Sequence, residues 1–266
     1  MTHSTQQIRQ TEGGFTLVEL AIVMIIIGLL IGGILKGQEL INNARVSSTV
    51  SQTKAIETGI SAFRDKYAAV PGDITNPTAR IPACVGLCAT AGNGDGLIAT
   101  DAAGTAFDPG VAVVASEGGR AFAMLAAAGM IGGVGGGASA AVATAGVSNP
   151  NLPLPGSWKI GYNDDATMTG VPAAFTVSAG TYVVSTLALG TASTSDTTYN
   201  MTPVQAAIID RKVDDGLPGS GSVIAIGGAP GAATCASAPV AGPPAVDSVY
   251  NEALGTVLCA LAVKVQ

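Results

Sequence analysis

GGFTLVELAIVMIIIGLLIGGILKG (residues 13–37) contains one charge where none is expected. From Phe15 to Leu35 there are 21 residues, and Glu19 is the only ionisable side chain among them. A run that long can cross a bilayer as a helix. A carboxylate at the centre of such a helix costs about 2.5–3.5 kcal/mol on insertion scales, and less near an end. Glu19 therefore calls for a partner or for a place outside lipid.

The segment before it, MTHSTQQIRQTEGG, is polar and ends in Gly-Gly. A secretory signal peptide places its small residues after the apolar run; here they come first. A cut after Gly14 would remove the polar leader and leave the hydrophobic helix on the protein. GGFTLVEL followed by an apolar run resembles the cleavage and methylation motif of type IV prepilins and type II secretion pseudopilins. The resemblance covers about the first 50 residues. It implies that a prepilin peptidase cuts between Gly14 and Phe15 and methylates the new amino terminus. It also implies that other pilin subunits pack against the helix, with Glu19 meeting a neighbour's amino terminus. Basic residues follow the span (Lys36, Arg45, Lys54), while the leader holds only Arg9 against Glu12. Loop charge thus leaves the orientation open, and a cytoplasmic leader is what the resemblance implies.

Past Lys36 the helix is expected to continue. Ile56, Ile60, Phe63 and Tyr67 fall on one helical face, and Ile41, Ala44 and Ser48 suggest a weaker stripe upstream. AVPGD (69–73) stops the pattern, because Pro71 disfavours helix before it and Gly72 permits a turn. A helix from Phe15 to Tyr67 would be ~80 Å long at 1.5 Å per residue. Its first half needs lipid or other helices, and its second half needs a globular partner. The expected divisions are a removed leader (1–14), a membrane or filament-core helix (15–36), an amphipathic half (37–70) and a head outside the cytoplasm (71–266).

In the head, Ser116 caps a predicted helix through Ala128, and residues 132–156 read as a Gly-, Ala- and Pro-rich loop. SWKIGY (157–162), AAFTVS (173–178), TYVVSTLAL (181–189), GSVIAI (221–226) and TVLCALAVKV (256–265) read as strands. TPVQAAIIDRKV (202–213) carries a helix start: Thr202 as cap, Pro203 in the first turn, Gln205 three residues after the cap. The expected class is α+β, with the long helix packed on an antiparallel sheet.

Composition narrows the chemistry. The 266 residues are 48 % hydrophobic, yet only 4 % aromatic and 11 % charged, where about 25 % charged is usual. The net charge of −6 and a pI near 4.6 leave no basic footprint for nucleic acid. The only histidine is His3, inside the leader. A mature chain without histidine has no His-based triad, general base or metal site, so no enzyme activity is expected.

Four cysteines form two local groups, Cys84 with Cys88 and Cys235 with Cys259. With an export segment ahead of them, disulfides are expected over free thiols, and of the three possible connectivities pairing within each group is the simplest. The resemblance adds that many type IV pilins close a C-terminal loop in this way. Gly28 and Gly32 make a GxxxG pair in the span, Gly33 and Gly37 another, and such pairs let apolar helices approach closely.

No cofactor is required by these motifs, and calcium is the one candidate. GNGDG (92–96) fails as an EF-hand, since counting back from Gly96 gives Ala91, Asn93 and Asp95, with Ala102 in the twelfth place. It reads as a turn. Around VDDG (213–216), Asp210, Asp214 and Asp215 gather at a helix C-terminus, where the macrodipole disfavours acids. A calcium ion would relieve that conflict. Two function classes follow from the resemblance: a pilus subunit serving adhesion, motility or DNA uptake, and a pseudopilin of type II secretion. Lys36 stands where many surface pilins carry proline, which favours the second; the large head and C-terminal cysteine pair favour the first. A membrane-anchored enzyme is the least favoured reading.

Overall fold

In the computed structural model the described residues are 14–98, 116–135, 144–163, 168, 171–172, 175, 177–187, 189, 199–228, 230–238 and 248–265. The leader, apart from Gly14, lies outside them. The chain divides into two units, residues 1–44 and 45–266.

In the first unit, the apolar run forms the opening part of helix α1, whose full extent is Leu17–Tyr67. It contains no proline, and aliphatic side chains carry it through Gly32-Gly33 to Leu35. Every residue from Phe15 to Leu35 is exposed. Its most apolar 18-residue window has a mean hydropathy of 2.8 and no buried residue. By length and composition this helix can cross a membrane.

The second unit begins with the remainder of α1. Its buried face runs through Val46, Thr49, Val50, Thr53, Ile56, Gly59, Ile60, Phe63 and Tyr67. The expected stripe at Ile56, Ile60, Phe63 and Tyr67 is there, but its upstream continuation is not Ile41, Ala44 and Ser48, all of which are exposed. At 3.6 residues per turn, Ser48 sits roughly 80° round the helix from Ile56. Polar Thr49 and Thr53 fill the face instead, each returning its hydroxyl proton to a carbonyl one turn back, Thr49 to Arg45 at 2.9 Å and Thr53 to Thr49 at 3.0 Å.

Helices α2 (Pro77–Arg80), α3 (Glu117–Ala127) and α4 (Pro203–Val213) accompany strands β1 (Ser157–Asn163), β2 (Gly180–Thr186), β3 (Val223–Ile226) and β4 (Ala260–Lys264). The sheet order is β1-β2-β4-β3, and every pairing is antiparallel. The fold is α+β. Ser116 caps α3 by accepting the Gly119 amide at 3.1 Å. Thr202 and Gln205 form a reciprocal capping box on α4.

One expected strand does not form at its described residues. Within AAFTVS, Phe175, Val177 and Ser178 are not in a strand, and the remaining three positions lie outside the described residues. Phe175 and Val177 are buried all the same. Their burial explains the alternating apolar signal without a ladder: these side chains cover the core from a loop. In GSVIAI and TVLCALAVKV the ladder is shorter than the apolar run, beginning at Val223 and Ala260.

Trp158, Tyr182, Phe63 and Phe122 are the largest fully buried side chains, and they belong to one continuous core. Gln52 on α1 locks its helix to β1, accepting the Trp158 indole N–H at 2.9 Å and donating to the Asn151 carbonyl at 2.8 Å. Gly118 lets α3 lie against β1, where a Cβ would sit 2.3 Å from the Ile160 carbonyl oxygen.

Candidate functional site

Two regions hold the candidate residues, one in each unit. At the start of α1, Thr16 N and Thr16 Oγ1 both donate to Glu19 Oε2 at 2.9 Å, and the Glu19 amide donates to Thr16 Oγ1 at 3.3 Å. This is a capping box: the carboxylate satisfies the entry amide, and the hydroxyl satisfies an amide one turn in. Glu19 thus has a partner in its own chain. T-x-x-E is visible in the sequence, but attention to the apolar run hides it. Gly14, Phe15 and Glu19 are all exposed. A Cβ built on Gly28, Gly32, Gly33 or Gly37 would meet no atom within 4 Å. Both GxxxG pairs therefore lie open.

In the second unit, disulfides join Cys84 to Cys88 and Cys235 to Cys259, and the Cα atoms of each pair are 5.1 Å apart. Cys259 also forms a bridge to Met201, and Ala236 one to Tyr250. The C-terminal crosslink is therefore embedded in backbone pairing. Residues 239–247 of its loop lie outside the described residues.

Asp210, Asp214 and Asp215 do come together, with carboxylate oxygens within 4.8 Å of one another. Each already has protein donors. Asp210 is fully buried, accepting the Tyr250 hydroxyl at 2.9 Å and the Gly216 amide at 3.2 Å. Asp214 takes the Ser222 and Val223 amides; Asp215 takes the Leu217 amide and the Ser220 hydroxyl, each at 2.8 Å. Burial pushes the Asp210 carboxyl up to about 7, with the hydrogen bonds from Tyr250 and Gly216 opposing the rise and the neighbouring Asp215 and Asp214 charges adding to it. Burial and Asp210 together push the Tyr250 phenol up as well. These carboxylates stitch the end of α4 to the loop before β3 and, through Tyr250, to the C-terminal segment. The Arg211–Glu252 ion pair adds a second tie.

A second acidic group is invisible along the chain. Asp73, Asp95 and Glu117 bring carboxylate oxygens within 4.8 Å of one another around GNGDG. The Asn93 amide donates to Glu117 at 2.9 Å, and the Gly94 and Gly96 amides donate to the two oxygens of Asp73 at 2.6 and 2.7 Å. Successive backbone N–H groups make an anion-binding concavity, and here the protein's own acids fill it. Arg120, buried beside Glu117 and Asp73, donates to the Ser116 and Ala91 carbonyls. Burial lowers its pKa, and the two acids oppose that. No signal marks this group in advance, because its members lie more than 20 residues apart. Beside it, an open cleft of ≈ 770 Å³ is lined by polar groups including Ser61, Arg64, Asp65, Thr75 and Arg80.

Residues 9–35 match the family model described as the prokaryotic N-terminal methylation motif. The chain carries a prepilin-type methylation motif. It is the signature of type IV prepilins and pseudopilins, and it covers about a tenth of the chain. The matched segment contains Gly14, Phe15, Glu19, Gly28 and Gly32. No curated protein matches the chain, and no solved structure does. The methylation motif points to a structural, pilin-like precursor with an N-terminal membrane helix.

Proposed function

We propose that this chain is a structural subunit of a type IV pilus-like filament. Its precursor is held in the inner membrane by the first helix, with the head outside the cytoplasm. A prepilin peptidase removes residues 1–14 and methylates the amino group of Phe15. The subunit then packs through its helix against other pilin subunits, with Glu19 setting the docking height and Gly28 and Gly32 allowing close approach. The observation that carries this reading is the methylation motif joined to an apolar run, from Phe15 to Leu35, whose side chains are all exposed within their own chain. Such a surface requires lipid before assembly and neighbouring helices after it.

Adhesion, motility or DNA uptake at the surface is the favoured role. The C-terminal segment tied by Cys235–Cys259, with its exposed Val249 and Val257, supports it as a contact surface. A pseudopilin of type II secretion is the second reading, supported by α1 running unbroken past Lys36 without proline. Intact-mass analysis of protein from the native host tests the processing. The expected mass begins at Phe15 and carries one added methyl group. A mass retaining residues 1–14 overturns the reading. Loss of surface fibres on deletion, with secretion intact, is the result expected for a pilus; the reverse result selects the pseudopilin.

A further inference from the structure

The segment Asn93-Gly94-Asp95-Gly96 holds two linkages of known chemical fragility. In an Asn–Gly or Asp–Gly pair the glycine nitrogen can attack the preceding side-chain carbonyl, unhindered because glycine has no Cβ. Asparagine is among the thermally labile residues for this reason. Replacing either glycine would strain the turn. Gly94 and Gly96 have φ of +81° and +86°, in the left-handed region, and a Cβ on Gly94 would sit 2.7 Å from the Thr75 methyl carbon.

Asp73 closes both routes. Its Oδ1 accepts the Gly94 amide at 2.6 Å and its Oδ2 the Gly96 amide at 2.7 Å, so one carboxylate holds both attacking nitrogens. Only 3 % exposed, it is itself fixed by the turn at 70–73, where the Asp73 amide donates to the Val70 carbonyl at 3.2 Å. The side chains under attack are also turned forward. Asn93 Oδ1 accepts the Asp95 amide at 3.1 Å, Asn93 Nδ2 donates to Asp95 Oδ2 at 2.7 Å, and Asp95 Oδ1 accepts the Leu97 amide at 2.9 Å.

We propose that Asn93–Gly94 is a deamidation site and Asp95–Gly96 an isomerisation site, both held closed by the Asp73 carboxylate. At the first, the Gly94 nitrogen would bond to Asn93 Cγ, and the side-chain nitrogen would leave as ammonia carrying the amide proton. Water then opens the cyclic imide to aspartate or isoaspartate. At the second, the Gly96 nitrogen would bond to Asp95 Cγ with loss of water, and water would reopen the ring to isoaspartate. Each attack needs a glycine N–H to leave its hydrogen bond and lose its proton, which an adjacent carboxylate opposes. Deamidation would also place a new negative charge in the acidic knot of Asp73, Asp95 and Glu117, so the clamp protects that knot's charge balance.

The test ages the full chain in detergent, in mildly alkaline buffer, as wild type, Asp73→Asn and Thr202→Ala. Peptide mapping follows the mass gain of deamidation at Asn93, and enzymatic isoaspartate labelling of the peptide that has not gained that mass follows residue 95. Asp73→Asn should raise both rates about tenfold or more, because a charge-assisted hydrogen bond gates each amide. Thr202→Ala loses a distant cap and should leave them unchanged. Should Asp73→Asn fail to fold, wild type in urea serves: modification there must outpace modification in the native chain. Native and unfolded rates that agree, Asp73→Asn rates at or below wild type, or an equal rise in Thr202→Ala would each overturn the clamp.

Discussion

Glu19 Oε2 takes hydrogen bonds from both the amide and the hydroxyl of Thr16, each at 2.9 Å. The charge that looks stranded in an apolar run is therefore part of the helix start. A carboxylate there also complements the positive end of the helix dipole. The capping role and the proposed docking role are compatible, since a carboxylate has lone pairs enough for two donors from Thr16 and an ammonium from a neighbour.

The two roles separate by substitution. Thr16→Ala removes the hydroxyl cap and costs about 0.5–2 kcal/mol of helix-start stability, while leaving the charge. Glu19→Leu removes the charge and makes the span more apolar, so membrane insertion persists. The expected outcome is that Glu19→Leu accumulates in the membrane fraction but yields few filaments, whereas Thr16→Ala assembles close to wild type. Normal filament yield from Glu19→Leu would reduce Glu19 to a cap alone.

The disulfides contribute unequally. On chain entropy, closing the loop between Cys235 and Cys259, 24 positions apart, stabilises by roughly 3.5 kcal/mol, against roughly 2 kcal/mol for Cys84–Cys88, 4 positions apart. Cys235→Ala/Cys259→Ala should therefore lower the melting temperature more than Cys84→Ala/Cys88→Ala. Calorimetry of the two double variants checks the order. The C-terminal pair has a further reason to dominate: Cys259 lies next to β4 and pairs with Met201 at the entrance to α4.

Gln52 makes a third expectation. It is the partner of the chain's one indole, and Gln52→Ala would remove the protein acceptor of the N–H of Trp158, which is 1 % exposed. An orphaned buried donor costs about 1–3 kcal/mol. Urea unfolding, followed by the fluorescence of the single tryptophan, should show a lower midpoint of that order. Gln52→Glu keeps an acceptor and should recover most of the loss.

How much of this was legible along the chain depends on sequence distance. Caps at Ser116 and Thr202 are written within four residues, and both form. The Thr16–Glu19 box is equally local, and reading Glu19 as a lone charge comes from weighing hydropathy before capping chemistry. AAFTVS shows the opposite limit: buried Phe175 and Val177 give a strand-like signal because burial, not ladder bonding, sets the apolar pattern. The Asp73 knot joins residues 73, 93–96 and 117, and no local pattern announces a contact that only the folded chain makes.

Asp210 gives the stability a pH dependence of defined sign. Its carboxyl is raised from 3.8 to about 7. Between those values the folded chain keeps a proton that the unfolded chain has lost, so stability falls as pH rises from about 4 to about 7 and levels off above. Ionisation at higher pH leaves a fully buried charge beside Asp214 and Asp215. Asp210→Asn removes the titration but keeps a carbonyl oxygen to accept from Tyr250 or Gly216. Other carboxylates also titrate, so the informative quantity is the difference between the two proteins. The melting temperature of Asp210→Asn should be less sensitive to pH over this window, and at about pH 8 the variant should be at least as stable as wild type. Parallel profiles for the two proteins would mean that Asp210 stays ionised throughout, and that its tie to Tyr250 is a charged hydrogen bond.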